Sequence, residues 1–319
     1  MEYRQLGRSE LEVSVIGFGG FAIGGRWWGD PDDQAAIAAV RRALDLGINL
    51  FDTAPVYGSG HSEELLARAL ENQRKEVVIA TKFGLFGERR DAIQVDNSPA
   101  RLRRDVESSL RRLRTDTIDL LQIHWPEEKT PIEDTVRAML LLQKEGKVRY
   151  LGACNYDPPR MERALSAGRL DSLQSPYHLL RRGVEKEDLP LCRQQEIGFL
   201  AYEPLCRGLL TGKFTGEETF DDGSFDLRAT DPRFRGQRFR DNVQLVRRLE
   251  RIAGGLGCSV AQLAVAWTLA HPAVTSALCG AKRPEQIQEC AAAASYKLGG
   301  TELAAIDAVV PEELRDQKN

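Results

Sequence analysis

Short apolar runs alternate with segments of helical apolar spacing along nearly the whole chain. The runs lie at Val15–Phe18, Ile48–Phe51, Val77–Ala80, Ile118–Ile123, Tyr150–Ala153, Ser172–Gln174, Gly198–Ala201 and Val274–Leu278. Runs of this length, bounded by turn residues, are typical of buried strands. Because helical patterns separate most successive runs, the chain is predicted to form a parallel sheet covered by helices.

Two further segments lie outside this alternation. Tyr3–Val13 reads as two short strands around a turn containing Gly7, which predicts a hairpin ahead of the main fold. Thr215–Gly236 is the longest irregular stretch, and a loop of this length is usually a functional cover or a flexible insertion. We favour a cover. No Pro/Ser-rich linker divides the chain, so one domain is expected over residues 1–319.

Local signals place the starts of two helices. Ser98 and Thr130 each precede a proline, which predicts a cap residue followed by proline at the first helical position, and Thr130 with Glu133 predicts a capping box. Within Ala100–Leu113, arginines alternate with acidic residues around one apolar stripe. We interpret this pattern as a solvated helix face rather than a nucleic-acid site.

Charge and cysteine usage argue against several classes of protein. The formal net charge of −3 gives no electrostatic footprint for nucleic acid or an anionic membrane. The six cysteines include no Cys-x-x-Cys pair, which argues against a zinc knuckle or disulfide framework and favours a cytoplasmic location. The N-terminus has no apolar signal core, and His271-Pro272 splits the apolar stretch Cys258–Ala281 into a helix and a strand rather than a membrane span.

Polar side chains stand at the ends of six successive predicted strands. In chain order they are Asp52, Lys82, His124, Asn155, Gln174 and Tyr202. Each of these residues has an ordinary structural explanation that involves no catalysis. A strand-end lysine usually reaches water, and a lone histidine usually caps or packs. In a closed barrel the six side chains would converge on one mouth, whereas in an open sheet they would be spread along an edge.

Asp52, Tyr57 and Lys82 have interlocking chemistry. An ammonium ending an apolar strand is partly desolvated, and Asp52 can supply its counter-charge. The Lys82 ammonium is expected to lower the pKa of Tyr57, which eases proton donation to a developing alkoxide. His124 is expected either to orient the substrate oxygen or to share the proton path. The competing interpretation is a metal site on Asp52, His61 and His124. We assign no metal, because no close ligand pair accompanies these residues and the lysine would repel a cation.

A glycine-rich stretch after the first strand resembles a dinucleotide-binding fingerprint only in part. Gly17-Phe-Gly19-Gly-Phe-Ala22 fits the pattern Gly-x-Gly-x-x-Ala. The next residues, Ile-Gly-Gly-Arg-Trp-Trp-Gly-Asp-Pro, cannot form the phosphate-binding helix that the fingerprint requires. A Rossmann site is therefore not expected here.

The four candidate catalytic residues resemble the tetrad of the aldo-keto reductases. Asp52, Tyr57, Lys82 and His124 stand in the contexts Phe-Asp-Thr-Ala-Pro-Val-Tyr-Gly, Ala-Thr-Lys-Phe-Gly and Leu-Gln-Ile-His-Trp, and the resemblance runs to about Leu298. It implies a (β/α)8 TIM barrel with an N-terminal hairpin and a long loop after strand 7. It also implies that NADP(H) binds across the barrel mouth, with Tyr57 as proton donor, Asp52 and Lys82 tuning it, and His124 positioning the carbonyl.

The same resemblance implies a cofactor site. Asn155 and Gln174 match residues that bond the carboxamide, and Tyr202 matches the ring that stacks on the nicotinamide. Positions matching the pyrophosphate segment and the adenosine end are Leu205, Gly208, Leu210, Lys213, Gly280, Lys282, Arg283, Gln286 and Glu289. Lys282 and Arg283 precede a helix start, where side-chain charge and the helix dipole suit a 2′-phosphate, so NADPH is expected over NADH.

Aromatic residues in the loops of the same mouth could form apolar walls for the substrate, with loop packing as the alternative: Trp27, Trp28, Phe86 and Trp125.

The primary hypothesis is an NADPH-dependent reductase of a small-molecule aldehyde or ketone. The alternatives are a nicotinamide-binding regulatory subunit, as relatives of potassium-channel β subunits are, and a barrel lyase or hydrolase that uses a metal. The physiological substrate, the reaction direction and homo-oligomer formation stay open.

Overall fold

The computed structural model describes residues 1–25, 32–87, 92–220 and 226–315. Within these ranges the strands are β1 Tyr3–Gln5, β2 Glu12–Ser14, β3 Ile16–Gly19, β4 Leu50–Asp52, β5 Val78–Phe83, β6 Leu85–Phe86, β7 Gln94–Val95, β8 Ile118–Ile123, β9 Val148–Cys154, β10 Ser172–Pro176, β11 Gly198–Tyr202 and β12 Val274–Gly280. The α-helices are α1 Asp33–Asp45, α2 His61–Ala69, α3 Pro99–Leu113, α4 Ile132–Lys144, α5 Pro158–Ala167, α6 Asp188–Gln195, α7 Gly236–Gly255, α8 Val260–Ala270, α9 Pro284–Ala292 and α10 Gly300–Val309.

Eight parallel strands close into a barrel in the order β10-β11-β12-β3-β4-β5-β8-β9. One helix lies between most successive barrel strands, and α7 and α8 together connect β11 to β12. Parallel strands need such crossovers, and the helices bury the outer face of the sheet. The (β/α)8 barrel implied by the sequence is therefore confirmed.

The barrel interior changes from apolar to polar along the strands. Successive strand residues point to opposite faces, so every second residue points inward. The apolar inward residues form one cluster that contains Leu50, Val78, Ala80, Leu120, Leu200 and Leu278. Two positions further along, β4, β5 and β8 carry Asp52, Lys82 and Gln122, which are also buried. The polar layer therefore lies at the carboxyl ends of the strands.

The N-terminal hairpin closes the opposite, apolar end. Strands β1 and β2 pair antiparallel, and Leu6, Leu11 and Val13 are buried in the interior cluster. Gly7 in the connecting turn has φ +58°, and a Cβ there would lie 2.6 Å from the carbonyl oxygen of Glu196. Only glycine fits this turn, which seats the hairpin against the barrel and leaves the other end for ligands.

The segment after β11 is more regular than its composition predicted. It contains 3-10 turns at Leu227–Thr230 and Pro232–Phe234, each started by an aspartate side chain that accepts a backbone N–H. Leu227 packs with Val56 and Leu85 in a small apolar cluster at the barrel mouth. The described part of this segment therefore lies over one side of the mouth, as a cover would.

One of the two predicted helix starts is correct. Helix α3 begins at Pro99, and the Ser98 hydroxyl accepts the backbone N–H of Arg101 at 3.3 Å. The capping box predicted at Thr130 is wrong, because α4 begins after Pro131 and has no side-chain cap. The carboxylate of Glu127, upstream of the helix, instead accepts the Thr130 N–H at 3.1 Å. This contact holds Thr130 outside the helix.

The apolar stretch Cys258–Ala281 divides into α8 and β12, as predicted. In the part of the chain that the structure describes, no single helix is long and apolar enough to cross a membrane. Helices α7 and α8 reach the required length and composition only together, and they meet at 84°.

Candidate active site

The barrel register brings the strand-end residues together. Strand β4 ends at Asp52, which pairs with Ala80 of β5, and Lys82 pairs with Gln122 of β8. Tyr57 lies in the turn that follows β4. In this turn Gly58 has φ +64°, and a Cβ there would overlap the carbonyl oxygen of Gly24 at 1.9 Å. The close approach of the two backbones fixes where the Tyr57 ring lies.

Asp52 and Lys82 form a buried ion pair. The Lys82 Nζ donates to Asp52 Oδ2 at 2.6 Å, to the carbonyl oxygen of Thr53 at 2.9 Å and to the Tyr57 hydroxyl at 3.2 Å. Asp52 Oδ1 accepts from Gln174 Nε2 at 2.8 Å. Both charges are thus hydrogen-bonded as well as paired, which a buried ion pair requires to be tolerated.

The Tyr57 ring lies between two other rings. Its centroid is 4.9 Å from that of Phe21 and 5.8 Å from that of His124, whose plane stands at 80° to it. His124 is buried, and within the described residues its Nδ1 has no hydrogen-bond partner. Tyr57 therefore contacts the Lys82 ammonium through its hydroxyl and the His124 imidazole through its ring.

The pKa values of these groups follow from burial and from Lys82. Burial raises the pKa of Tyr57 to about 12 even though the Lys82 charge opposes this shift. The predicted net lowering is therefore wrong in direction, because desolvation of the phenolate outweighs the ammonium. Burial also disfavours the ammonium of Lys82, but Asp52 and Tyr57 outweigh it and raise the pKa of Lys82. Burial and Lys82 lower the pKa of His124 well below 6.5, so its imidazole is neutral.

The three residues predicted to contact the nicotinamide are linked to the tetrad. Asn155, with φ +60°, donates to the carbonyl oxygen of His124 at 3.1 Å and accepts from the Tyr202 hydroxyl at 2.8 Å. Gln174 donates to Asp52, as described above. The sequence reasoning missed Gln122, whose Oε1 accepts from Ser172 Oγ at 3.3 Å. Its place in β8, two residues before His124, was the signal that could have found it.

The segment predicted to follow the pyrophosphate is a tight 3-10 turn over Cys206–Thr211. Gly208 has φ +89°, and a Cβ there would lie 3.2 Å from Lys213 Nζ. Leu210 is buried and Leu205 half-buried. Glu203, also at positive φ, accepts from Arg207 Nε at 3.0 Å. The turn therefore presents glycine backbone and the Lys213 ammonium on one side.

Gln286, one of the residues predicted to contact the adenosine end of the cofactor, is bonded to the protein's own backbone. Gln286 Oε1 accepts the backbone N–H groups of Lys282 at 2.8 Å and Arg283 at 3.3 Å, and Glu289 accepts from Ser259 Oγ. The Gln286 side chain therefore caps the start of α9. Because the backbone N–H groups of Lys282 and Arg283 are bonded to Gln286, the groups here that could hold an anion are the side-chain charges of these two residues.

Positive charges from three segments meet beside this helix start. Partial burial lowers the pKa of Lys213, and the charges of Arg228, Lys282 and Arg283 lower it further. The charge of Asp226 raises this pKa but does not reverse the net shift. Arg228 belongs to the segment after β11 and was not predicted. Positive charge that disfavours the Lys213 ammonium in this way fits an anionic group such as a phosphate. The described residues therefore fit the phosphate-bearing half of a nicotinamide dinucleotide.

The three residues of the competing metal interpretation do not converge in the described ranges. His61 Nε2 is bonded to Asp33 Oδ1 at 2.8 Å on the outer helices, while Asp52 accepts from Lys82. The described ranges contain no group of three or more His, Cys, Asp or Glu side chains placed to hold a metal ion. His124 therefore lacks the companion ligands that the competing interpretation requires.

Of the aromatic residues proposed as substrate walls, Trp27 and Trp28 lie outside the described residues. Phe86 is covered by the Arg101 guanidinium at 4.0 Å, and Trp125 is 42% exposed. Phe86 thus fits the alternative of local packing. Within the described residues, the apolar side chains packed around Tyr57 come from four connections at the mouth: Phe21, Val56, Leu85, Ile93, Val95 and Leu227.

Comparison with known proteins agrees with this geometry. The model of the Aldo/keto reductase family matches residues 15–311. Aldo-keto reductase YhdN from Bacillus subtilis (strain 168) is 39% identical over 99% of this chain and 96% of its own length. NADH-specific methylglyoxal reductase from Escherichia coli (strain K12) is 36% identical over 92% of this chain and 93% of its own. The glycerol dehydrogenase AKR11B4 from Gluconobacter oxydans superposes with a TM-score of 0.89 at 40% identity, covering 96% of this chain and 94% of that one.

Proposed function

This chain belongs to the aldo/keto reductase family, and from that premise we propose that it reduces the carbonyl group of an aldehyde or ketone, with NADPH as the hydride donor. The observation that carries the proposal is the Tyr57 hydroxyl, which accepts from the Lys82 ammonium at 3.2 Å, on a ring whose centroid is 5.8 Å from that of a neutral His124. Carbonyl reduction needs a proton donor at the oxygen, and this group of side chains supplies one.

Each of the four candidate catalytic residues has a separate role in the proposed reaction. When bound, NADPH supplies the hydride. Tyr57 gives its phenolic proton to the carbonyl oxygen, and the Lys82 ammonium stabilises the phenolate that is left. Asp52 keeps Lys82 charged and in place through the 2.6 Å contact. Neutral His124 holds the carbonyl oxygen by a hydrogen bond, since an imidazole can donate from one nitrogen without carrying charge.

The cofactor would be held along the mouth by the residues assigned above. Asn155, Gln174 and Tyr202 would hold its nicotinamide end. The turn residues Leu205, Gly208, Leu210 and Lys213 would lie along the pyrophosphate, and the adenosine end would contact Gly280, Lys282, Arg283, Gln286 and Glu289. The side-chain charges of Lys282 and Arg283 ahead of α9 support NADPH rather than NADH, because the pyrophosphate near Lys213 is common to both cofactors.

We further propose that residues 1–319 act as one catalytic domain in the reducing cytoplasm. The six cysteines are free thiols in the structure, which fits that compartment.

The proposed function is tested by following cofactor absorbance with a panel of aldehydes and ketones, each with NADPH and with NADH. We expect carbonyl-dependent oxidation of NADPH, and slower reverse oxidation of alcohols with NADP⁺. Binding of NADPH without turnover of any carbonyl would favour the regulatory-subunit alternative. Equal turnover with NADH would leave the reductase in place and remove the preference for NADPH.

The pH dependence of reduction follows from the two shifted pKa values. Tyr57 donates only while protonated, which holds below a pKa of about 12. Neutral His124 is the form present above its lowered pKa, which lies well below 6.5. We therefore expect kcat/KM at subsaturating NADPH, which reports free-enzyme groups, to stay flat from about pH 6.5 to about pH 10. A loss of activity centred near pH 6.5, or a fall between about pH 7 and pH 9, would contradict this assignment.

Arg283→Ala is expected to weaken NADPH binding about 10- to 100-fold while changing NADH binding little. A charge-assisted hydrogen bond to phosphate contributes about 1.5–3 kcal/mol, and NADH lacks that phosphate. Fluorescence titration of both cofactors measures the difference. Arg137→Ala, which removes an exposed arginine on α4, is the matched control and should change neither affinity. Equal losses for NADPH and NADH in Arg283→Ala would remove the 2′-phosphate role.

A further inference from the structure

A completely buried carboxylate lies behind the candidate site. Glu63, in the first turn of α2, is 0% exposed. Its Oε1 accepts from the Thr81 hydroxyl at 2.7 Å, and its Oε2 accepts from Arg112 Nε of α3 at 2.6 Å. A buried carboxylate is expensive unless it is paired and hydrogen-bonded, and each oxygen of Glu63 has such a partner. The Glu63 carboxylate has no role in the reaction proposed for the site.

The Thr81 contact connects Glu63 to the strand that carries the ammonium. Thr81 directly precedes Lys82 in β5, and the two side chains point to opposite faces. Glu63 thus holds the outer face of the strand one residue from the group that bonds Tyr57. Next to it, Ser62 accepts from Thr53 Oγ1 at 2.9 Å, and the carbonyl oxygen of Thr53 accepts from Lys82 at 2.9 Å.

The Arg112 contact connects Glu63 to the turn that carries the phenol. The turn Tyr57–Gly60 contains consecutive left-handed residues, with φ +64° at Gly58, +56° at Ser59 and +99° at Gly60. A Cβ on Gly60 would lie 2.4 Å from Arg112 Cδ and 2.5 Å from Nε. The guanidinium end therefore packs directly on this turn, whose backbone conformation needs surrounding contacts to persist.

We propose that Glu63 and Arg112 are positioning residues that hold the Tyr57 hydroxyl at hydrogen-bond distance from Lys82. Neither touches the reacting atoms. The pair joins the Tyr57 turn to the Lys82 strand, and the 3.2 Å contact between phenol and ammonium depends on the relative position of these two pieces. A misplacement of about 1 Å at a reacting group can lower the rate roughly 100-fold. This inference rests on the proposed function, because it specifies how that site is kept in register.

Glu63→Gln tests the pair. Glutamine preserves the shape and an acceptor for Thr81 but removes the negative charge facing Arg112. We expect kcat for carbonyl reduction to fall about 10- to 100-fold, while the KM for the carbonyl and the dissociation constant for NADPH change less than about 2-fold. Arg112→Met should behave like Glu63→Gln. Arg112→Lys keeps the positive charge and most of the aliphatic part of the side chain, so it should retain most of the wild-type kcat.

Asp119→Asn is the matched control for a merely structural effect. Asp119 is another buried carboxylate against β5, at the far end of the strand, where it accepts from the Ile79 N–H at 3.0 Å and pairs with Arg74 at 2.8 Å and Arg149 at 2.9 Å. We expect the urea midpoint to fall in both variants and kcat to fall only in Glu63→Gln.

The outcomes separate the two proposals. An equal loss of kcat in both variants, or an unchanged kcat in folded Glu63→Gln, overturns the positioning role and leaves the reductase intact. A wild-type protein that reduces no carbonyl overturns both.

Discussion

Tyr57→Phe is expected to lower kcat for carbonyl reduction about 10²- to 10⁴-fold while leaving NADPH affinity nearly unchanged. The size of the loss is that of removing a positioned general acid. Phenylalanine keeps the ring that packs against Phe21 and His124, so the substitution removes the hydroxyl and little else. Steady-state turnover together with cofactor titration measures both quantities.

Tyr177→Phe serves as the control for that variant. It also removes a phenol hydroxyl, but this one is bonded to Glu185 at 2.7 Å away from the tetrad, so kcat should hold. Rapid carbonyl reduction by Tyr57→Phe would remove Tyr57 as the proton donor.

Lys82→Met is expected to destabilise the fold by about 3–5 kcal/mol as well as to reduce turnover sharply. The substitution leaves the Asp52 carboxylate buried with Gln174 as a neutral partner, and breaking a buried ion pair at one side has roughly this effect on stability. Turnover falls because nothing then stabilises the Tyr57 phenolate. Urea unfolding gives the first quantity and cofactor oxidation the second.

The double variant Asp52→Asn with Lys82→Met separates stability from chemistry. Removing both charges also removes the uncompensated carboxylate, so much of the lost stability should return, while turnover should not. If Lys82→Met were as stable as the wild type, the ion pair would not be buried as described. Recovery of turnover in the double variant would show that the ammonium has no part in the reaction.

Strand periodicity carried most of what could be predicted about the site. The run that ends at Asp52 and the run that leads to Lys82 place both side chains on the inward face near the carboxyl ends of neighbouring strands. Lys82 lies two residues beyond Ala80, the residue that pairs with Asp52, so the two side chains converge once the sheet closes. Gln122 obeyed the same rule and was overlooked because it lies inside its run rather than at the end. What the pattern indicates is the face and the level of a residue, not its partner.

The features that could not be predicted depend on contacts between distant parts of the chain. Arg112 reaches Glu63 across 49 residues, and Arg228 joins Lys213 and Arg283 only after folding. The pKa of Tyr57 depends on how deeply the phenol is buried, which no local pattern specifies. The contact of the Gln286 side chain with the backbone N–H groups of Lys282 and Arg283 likewise forms only when the start of α9 is folded.

A crystal structure of this protein with NADPH and a carbonyl inhibitor or substrate tests the proposed site directly. We expect the carbonyl oxygen within about 3 Å of both the Tyr57 hydroxyl and a nitrogen of His124, beside Lys82. A carbonyl oxygen bound out of reach of Tyr57, or a dinucleotide bound away from Tyr202 and Lys213, would contradict the proposed site.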